Sequence, residues 1–367
     1  MAYTAPTLDD RLGERLAAHP RRDVAATRLR LPTLLVALAL LAGAVMVGVS
    51  VGPAALPVRG IARELLDRLP LVSVDSGLTD LQQTILWQVR MPRVVLGAIV
   101  GALLASCGAA YQGVFRNALA DPYLLGVAAG AGLGATIVIV YGPPSGGGGR
   151  PWLPVAAFAG GAMAVGIAYA LGATVKRERS AAAIVLAGVA VAAFLTAAQT
   201  YLQQRHAETL REVYSWILGR LTLATWSDVR LLLPYALVSA TILLLHRRLL
   251  DVLQVGEEEA DALGVNASRV RIAVVIAATL GTAAAVAVTG LIGFVGIIVA
   301  HTVRMVTKGS YRVVLPLSMI GGAAFLVLAD VIARSVQSPA ELPIGVVTAF
   351  FGAPFFLLVL SRSGIRS

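Results

Sequence analysis

Ten stretches of this chain run for about 20 mostly apolar residues, the length a helix needs to cross the hydrocarbon core of a bilayer. They fall at residues 33–52, 92–115, 122–141, 152–173, 181–203, 229–247, 270–289, 291–306, 313–333 and 343–361. The eighth is short, and Gly290, Gly293 and Gly296 interrupt it. Segments of this kind must satisfy their backbone N–H and C=O groups internally, which helices do. Composition agrees: 57% of the residues are hydrophobic, 14% are charged, and the mean hydropathy is +0.81. A soluble globule cannot bury so much apolar surface, and a disordered chain needs a more polar composition. The expected fold is all-α, a polytopic membrane bundle of about ten transmembrane helices.

The net charge of +10 comes from 30 Lys and Arg against 20 Asp and Glu, and all but Lys176 and Lys308 of the basic residues are Arg. They are scattered between the apolar segments, which fits membrane topology better than a nucleic-acid face. With both termini inside, 19 basic residues lie on the cytoplasmic side and 11 outside. The chain then divides into a cytoplasmic tail (1–32), a membrane domain (33–361) and a cytoplasmic C-terminal tail (362–367), in the cytoplasmic (inner) membrane. The first span follows about 30 polar residues and lacks a small-residue cleavage site, so it reads as an uncleaved span. Cys107, inside an apolar run, reads as a packed structural thiol.

Proline and glycine add detail. Asp121-Pro122 predicts a helix start with an N-cap, and Pro92 and Pro343 predict starts for spans two and ten. Gly97 and Gly101, and separately Gly126, Gly130 and Gly134, repeat at four-residue spacing and predict close helix contact. Gly146–Gly149, flanked by prolines, reads as an outer loop.

Much chemistry is missing. There is no G-x-x-x-x-G-K-[ST] phosphate loop, no H-E-x-x-H and no G-x-S-x-G elbow, so an enzyme of those classes is excluded. His206, Glu208 and Glu212 could hold a metal but read better as a solvated cluster, and no metal or cofactor site is expected. Gradient-driven carriers place acidic or histidine relays near the midplane. The nearest case is Asp330, toward the outer end of span nine, with Arg334 at i+4 as its ion-pair partner. That disfavours a gradient-driven carrier, which stays as the alternative reading.

The inner segment 254–269 is unusual. Helix formers from Glu257 to Leu263 end at Gly264, a natural left-handed cap, and Asn266 or Ser268 can cap a second short helix leading into span seven. Two short helices joined by a tight turn would make a rigid knob outside the bilayer.

Four segments together resemble the FecCD family, the permease subunits of type II ABC importers for iron–siderophore, haem and vitamin B12. They are RMPRVVLGAIVGALLASCGAAYQGVFRNALADPYLLGVAAGAGLGA (90–135), the A-x-x-L-G-V of the inner knob, TGLIGFVGIIVAHTVRM (289–305) and LADVIARSVQSPAELPIGVVTAFFGAPFFLLVL (328–360). Their order and spacing match from about residue 87 to 361. Ala118 and Ala300 stand where the family pattern has proline.

The resemblance implies ten helices per subunit, a homodimer with the substrate path on its axis, and two separate ATPase subunits that carry the ATP and Mg. It implies ATPase coupling through Glu257, Glu258, Glu259, Asp261, Leu263, Gly264, Val265, Asn266 and Ser268. It also implies an extracytoplasmic substrate-binding protein whose glutamates meet Arg90, Arg93 and Arg334. Arginine suits that role because its fork pairs with carboxylates in bidentate fashion. Thr196, Gln199, Thr200 and Gln203 share one helical face of span five. They could line the path or hydrogen-bond between helices, and the resemblance favours lining. The implied cargo is a metal chelate, iron–siderophore first, then haem or cobalamin.

Overall fold

Because the apolar segments must close their own hydrogen bonds, the described residues are mostly helical. The structure is a computed structural model and describes residues 28–363 except 53, 55, 69–73, 144–151, 175–180 and 308. The glycine run 146–149, Lys176, Arg177, Arg179, Lys308, most of the N-terminal tail and residues 364–367 lie outside the described residues.

Among the described residues, seven helices are long and apolar enough to cross a membrane, and three shorter apolar ones accompany them. In chain order the elements are α1 (Leu31–Ser50), α2 (Val58–Asp67), α3 (Asp80–Thr84), α4 (Met91–Val114), α5 (Val127–Tyr141), α6 (Trp152–Thr174) and α7 (Ala181–Arg205). They continue with α8 (Leu210–Ile217), α9 (Trp226–Leu253), α10 (Glu257–Ala262), α11 (Ala267–Thr289), α12 (Val295–Thr307), α13 (Tyr311–Ser335) and α14 (Ile344–Ser363). The short members are α5, α12 and the apolar part of α14.

α4 and α11 are buried over most of their length and form the centre; α1, α7 and α9 are largely exposed at the periphery. α4 packs on α13, α9 and α11, while α5 pairs with α6. The predicted close contacts hold at three glycines. Gly101 meets the Gly322 carbonyl, Gly130 meets the Gly160 carbonyl, and Gly134 meets the Ala156 carbonyl, so a Cβ at any of them would strike backbone. Gly97 has more room, against the Leu221 side chain. Gly126 serves conformation instead, at φ +86°.

Two expected helix starts differ. Pro92 does not open span two. The helix begins at Asp80, where Thr79 and Gln82 form a reciprocal capping box, and reaches Pro92 through a π-helical stretch, Ile85–Arg90. The missing proline N–H and the ring's clash with the carbonyl four residues back are absorbed in that wider turn. At Asp121-Pro122 the cap forms, Tyr123 N–H donating to Asp121 Oδ1 (2.9 Å). It starts only a 3-10 turn, Pro122–Leu125, which ends at left-handed Gly126 before α5 begins. Tyr123 OH then donates to the Ile292 carbonyl (3.0 Å), tying this turn to the break between α11 and α12. Ala300 lies inside α12, fully buried.

Candidate functional site

Two places on the bundle concentrate polar chemistry, one at each end. The first is the exposed connection between α9 and α11. α10 spans only Glu257–Ala262, anchored by Ala260, which is fully buried. It ends as the residues dictate. Gly264 adopts φ +78°, its N–H donates to the Asp261 carbonyl (2.9 Å), and Val265 N–H donates to the Ala260 carbonyl (2.9 Å). Those two bonds make a Schellman cap. Asn266 Oδ1 then accepts from Arg269 N–H (2.9 Å). The expected second short helix is absent: Asn266 caps α11 itself, which runs unbroken from Ala267 because no glycine or proline interrupts it before Gly281. Glu258, Glu259, Asp261, Leu263, Gly264 and Asn266 are exposed; Val265 and Ser268 are half-buried. Leu263, 68% exposed, is an apolar tip on an acidic knob. Gln254 Nε2 donates to the Gly113 carbonyl (2.8 Å), joining the knob's base to the end of α4.

At the opposite end, Arg93 holds two carboxylates at once. Its Nε and Nη2 donate to Asp330 at 2.8–3.1 Å, and its Nη1 and Nη2 donate to Glu341 at 2.9 and 2.8 Å. Thr222 Oγ1 donates to Glu341 Oε2 (2.8 Å). Arg334 Nε stands 3.6 Å from Asp330 Oδ2, and its Nη2 donates to the Gly48 carbonyl. Arg90 Nη1 donates to the Val49 and Ser50 carbonyls (2.7 Å each), and Nη2 to the Ala54 carbonyl. These contacts fasten the ends of α1, α4 and α13 to the loops before α9 and α14. The arginine bond holds the Glu341 carboxyl below its usual range, against the opposing effect of burial. A cleft of about 260 Å³ opens beside the cluster, lined by Arg93, Arg220, Thr222, Asp330 and Glu341 among others.

The expectation of outward-facing forks at Arg90, Arg93 and Arg334 differs from their placement: they are 4%, 8% and 6% exposed, with their hydrogen bonds inside the chain. The expected Asp330–Arg334 pair exists, but Arg93 is the closer partner. Glu341 and Thr222 had no role in the sequence reading; the only signal was the E-L-P motif at 341–343.

The polar stripe on α7 splits. Gln199 and Gln203 are buried, Gln199 Nε2 donating to Thr136 Oγ1 on α5 (3.2 Å). Thr196 and Thr200 are exposed, and Thr200 Oγ1 donates to the Thr196 carbonyl (2.9 Å). Among the described residues no group of three or more His, Cys, Asp or Glu could hold a metal ion.

Comparison with known proteins places this architecture. Residues 27–362 match the model of the FecCD transport family. The cobalamin import system permease protein BtuC of Halobacterium salinarum is 42% identical over 79% of this chain and 77% of its own length. The hemin transport system permease protein HmuU of Yersinia pestis is 36% identical over 81% of this chain and 93% of its own. A solved structure described as an inward-facing metal-chelate type ABC transporter superposes with a TM-score of 0.78 at 28% identity, covering 91% of this chain and all of its own. The chain belongs to the FecCD transport family and is the multi-pass membrane permease, not the catalytic subunit, of an ABC importer for metal chelates.

Proposed function

We propose that this chain forms, with a second copy of itself, the path through which an iron–siderophore crosses the inner membrane, driven by two separate ATPase subunits. The observation that carries the reading is the knob of residues 257–268: short, capped at Gly264 and Asn266, acidic and exposed at Glu258, Glu259 and Asp261, with an apolar tip at Leu263. A rigid projection transmits a push from a partner, whereas a flexible loop dissipates it. The permease itself then needs only two packings whose balance the partner shifts. ATP and Mg belong to that partner, and both termini of this chain are cytoplasmic. The relatives' names span cobalamin and hemin as well as Fe(3+)-citrate, so haem and cobalamin follow iron–siderophore as cargo.

On the outer side the reading places a substrate-binding protein over the Arg90, Arg93 and Arg334 end. With their bonds already made inside the chain, these arginines hold the docking face together. A partner glutamate would reach Arg93 through the Glu341 cleft. Thr196 and Thr200, on the exposed face of α7, are the stripe residues set to line the path.

The experiment is co-purification of an ATPase subunit, with uptake of iron–siderophore, haem and cobalamin measured after reversing Glu257–Glu259 to Lys. Loss of uptake and of the associated ATPase is expected. Uptake that persists with no ATPase subunit present overturns the reading in favour of a gradient-driven carrier.

A further inference from the structure

At the end of the bundle that carries α10, three helix ends bring four arginines around one cleft of about 340 Å³. Arg28 precedes α1, Arg247 and Arg248 lie near the end of α9, and Arg312 opens α13, with Leu29 and Pro316 as apolar walls. The charges are poorly compensated. Asp251 Oδ2 lies 3.5 Å from Arg312 Nε, yet that nitrogen is buried and makes no hydrogen bond. Asp251 is also engaged elsewhere, its Oδ1 accepting from Tyr311 N–H (2.6 Å). Among the described residues no carboxylate pairs with Arg28, Arg247 or Arg248. Like charges gathered without a counter-ion are unfavourable, so the arrangement calls for an anion.

We infer that the cleft between the ends of α1, α9 and α13 binds the phosphate of an anionic membrane phospholipid. Guanidinium forks match phosphate oxygens, and Arg312, its side chain 42% exposed and its Nε facing only Asp251 at 3.5 Å without a hydrogen bond, keeps donors free for one. The position is right for a headgroup, since the cleft lies where three apolar helices reach the bilayer surface. Toward the bilayer centre the same helices continue as exposed apolar surface, Leu31 and Leu35 on α1 and Leu245 on α9. A basic pocket between transmembrane helices is a known form of headgroup site. The inference does not depend on what the importer carries. A bound lipid here would clip peripheral α1 and α9 to α13.

The test is native mass spectrometry of the whole permease in mild detergent, offered phosphatidylglycerol and phosphatidylcholine in equal amounts. Preferential retention of phosphatidylglycerol is expected, and Arg247→Gln with Arg248→Gln should weaken it roughly thirtyfold. Arg205→Gln with Arg211→Gln, the same charge loss at the other end, should leave retention unchanged. Arg248→Gln alone, at an exposed position, serves if the double variant fails to fold, with a loss of about fivefold expected. Inorganic phosphate and glycerol phosphate form the second arm. Displacement of the lipid by millimolar inorganic phosphate would make the ligand a soluble anion and overturn the proposal. So would equal retention of the two lipids, or retention indifferent to the α9 arginines.

Discussion

Asp330→Asn removes one charge from the outer cluster while keeping its shape. The carboxylate is 3% exposed and sits between Arg93, at 2.8–3.1 Å, and Arg334, at 3.6 Å. With it neutral, two buried guanidinium groups share only Glu341, which accepts from Arg93 but not from Arg334. Breaking a buried pair from one side costs about 3–5 kcal/mol, because the orphaned cation stays desolvated. An exposed pair such as His206–Glu208, whose glutamate side chain is 72% exposed, is worth at most about 1 kcal/mol. For a chain of this size 1 kcal/mol moves Tm by roughly 1.3 °C. Asp330→Asn in mild detergent should therefore melt roughly 4–7 °C lower, and Glu208→Gln within about 2 °C of wild type. Adding Arg334→Met to Asp330→Asn removes one orphaned cation and should recover part of the loss, with a coupling of about 0.5–3 kcal/mol. A melting point for Asp330→Asn within about 2 °C of wild type, or strict additivity in the double variant, would refute the idea that this cluster fastens the bundle's end.

Other positions give simpler contrasts. Gly264→Ala forces a Cβ into φ +78°, at about 1–2 kcal/mol, with no neighbour within 4 Å to clash; α10 should fray, lowering ATPase stimulation in the assembled importer more than the permease's Tm. Gly101→Val drives side-chain atoms into Gly322 backbone and should cost about 1–3 kcal/mol in melting experiments, whereas Gly43→Val, with nothing within 4 Å, should be silent. Gln199→Ala should cost about 0.6 kcal/mol through the lost bond to Thr136 and leave uptake intact, while Thr200→Val should alter uptake with little change in Tm. Because Glu341's folded pKa is depressed, its stabilising contribution is present above the ordinary glutamate pKa of about 4.3 and is lost as pH falls through the folded value. Glu341→Gln should remove that part of the acid sensitivity from a Tm-versus-pH series.

What the sequence made legible is what local chemistry decides. The knob follows from Gly264 and Asn266 alone, a left-handed cap and an N-cap two residues apart, and the structure builds both. The helix spans emerge from runs of apolar residues, and most ends agree within about five positions; span two starts twelve residues early and span six ends six residues late. The early start of span two was also written locally, as Thr79 and Gln82 three apart. Polar Gln82, Gln83 and Gln88 hid it, because an apolar-run criterion stops where a helix emerges from the lipid. The second knob helix failed for a related reason. Asn266 caps whatever follows, and nothing after it stops α11.

The outer arginines expose a deeper limit. Sequence position places a residue at a membrane border, but depth within the fold depends on partners far along the chain. Arg93 and Asp330 are separated by 237 residues, and neither the period of a helix nor the spacing of a motif joins them. Arg334 illustrates the consequence. Its i+4 neighbour Asp330 is visible in the sequence, yet in the fold that neighbour lies closer to Arg93, and Arg334 turns to the Gly48 carbonyl on α1. The same three arginines thus tie the first helix to the ninth apolar segment and to the second. An outer partner that draws on any one of them therefore acts on all three helices, which gives docking at this end a mechanical route into the bundle.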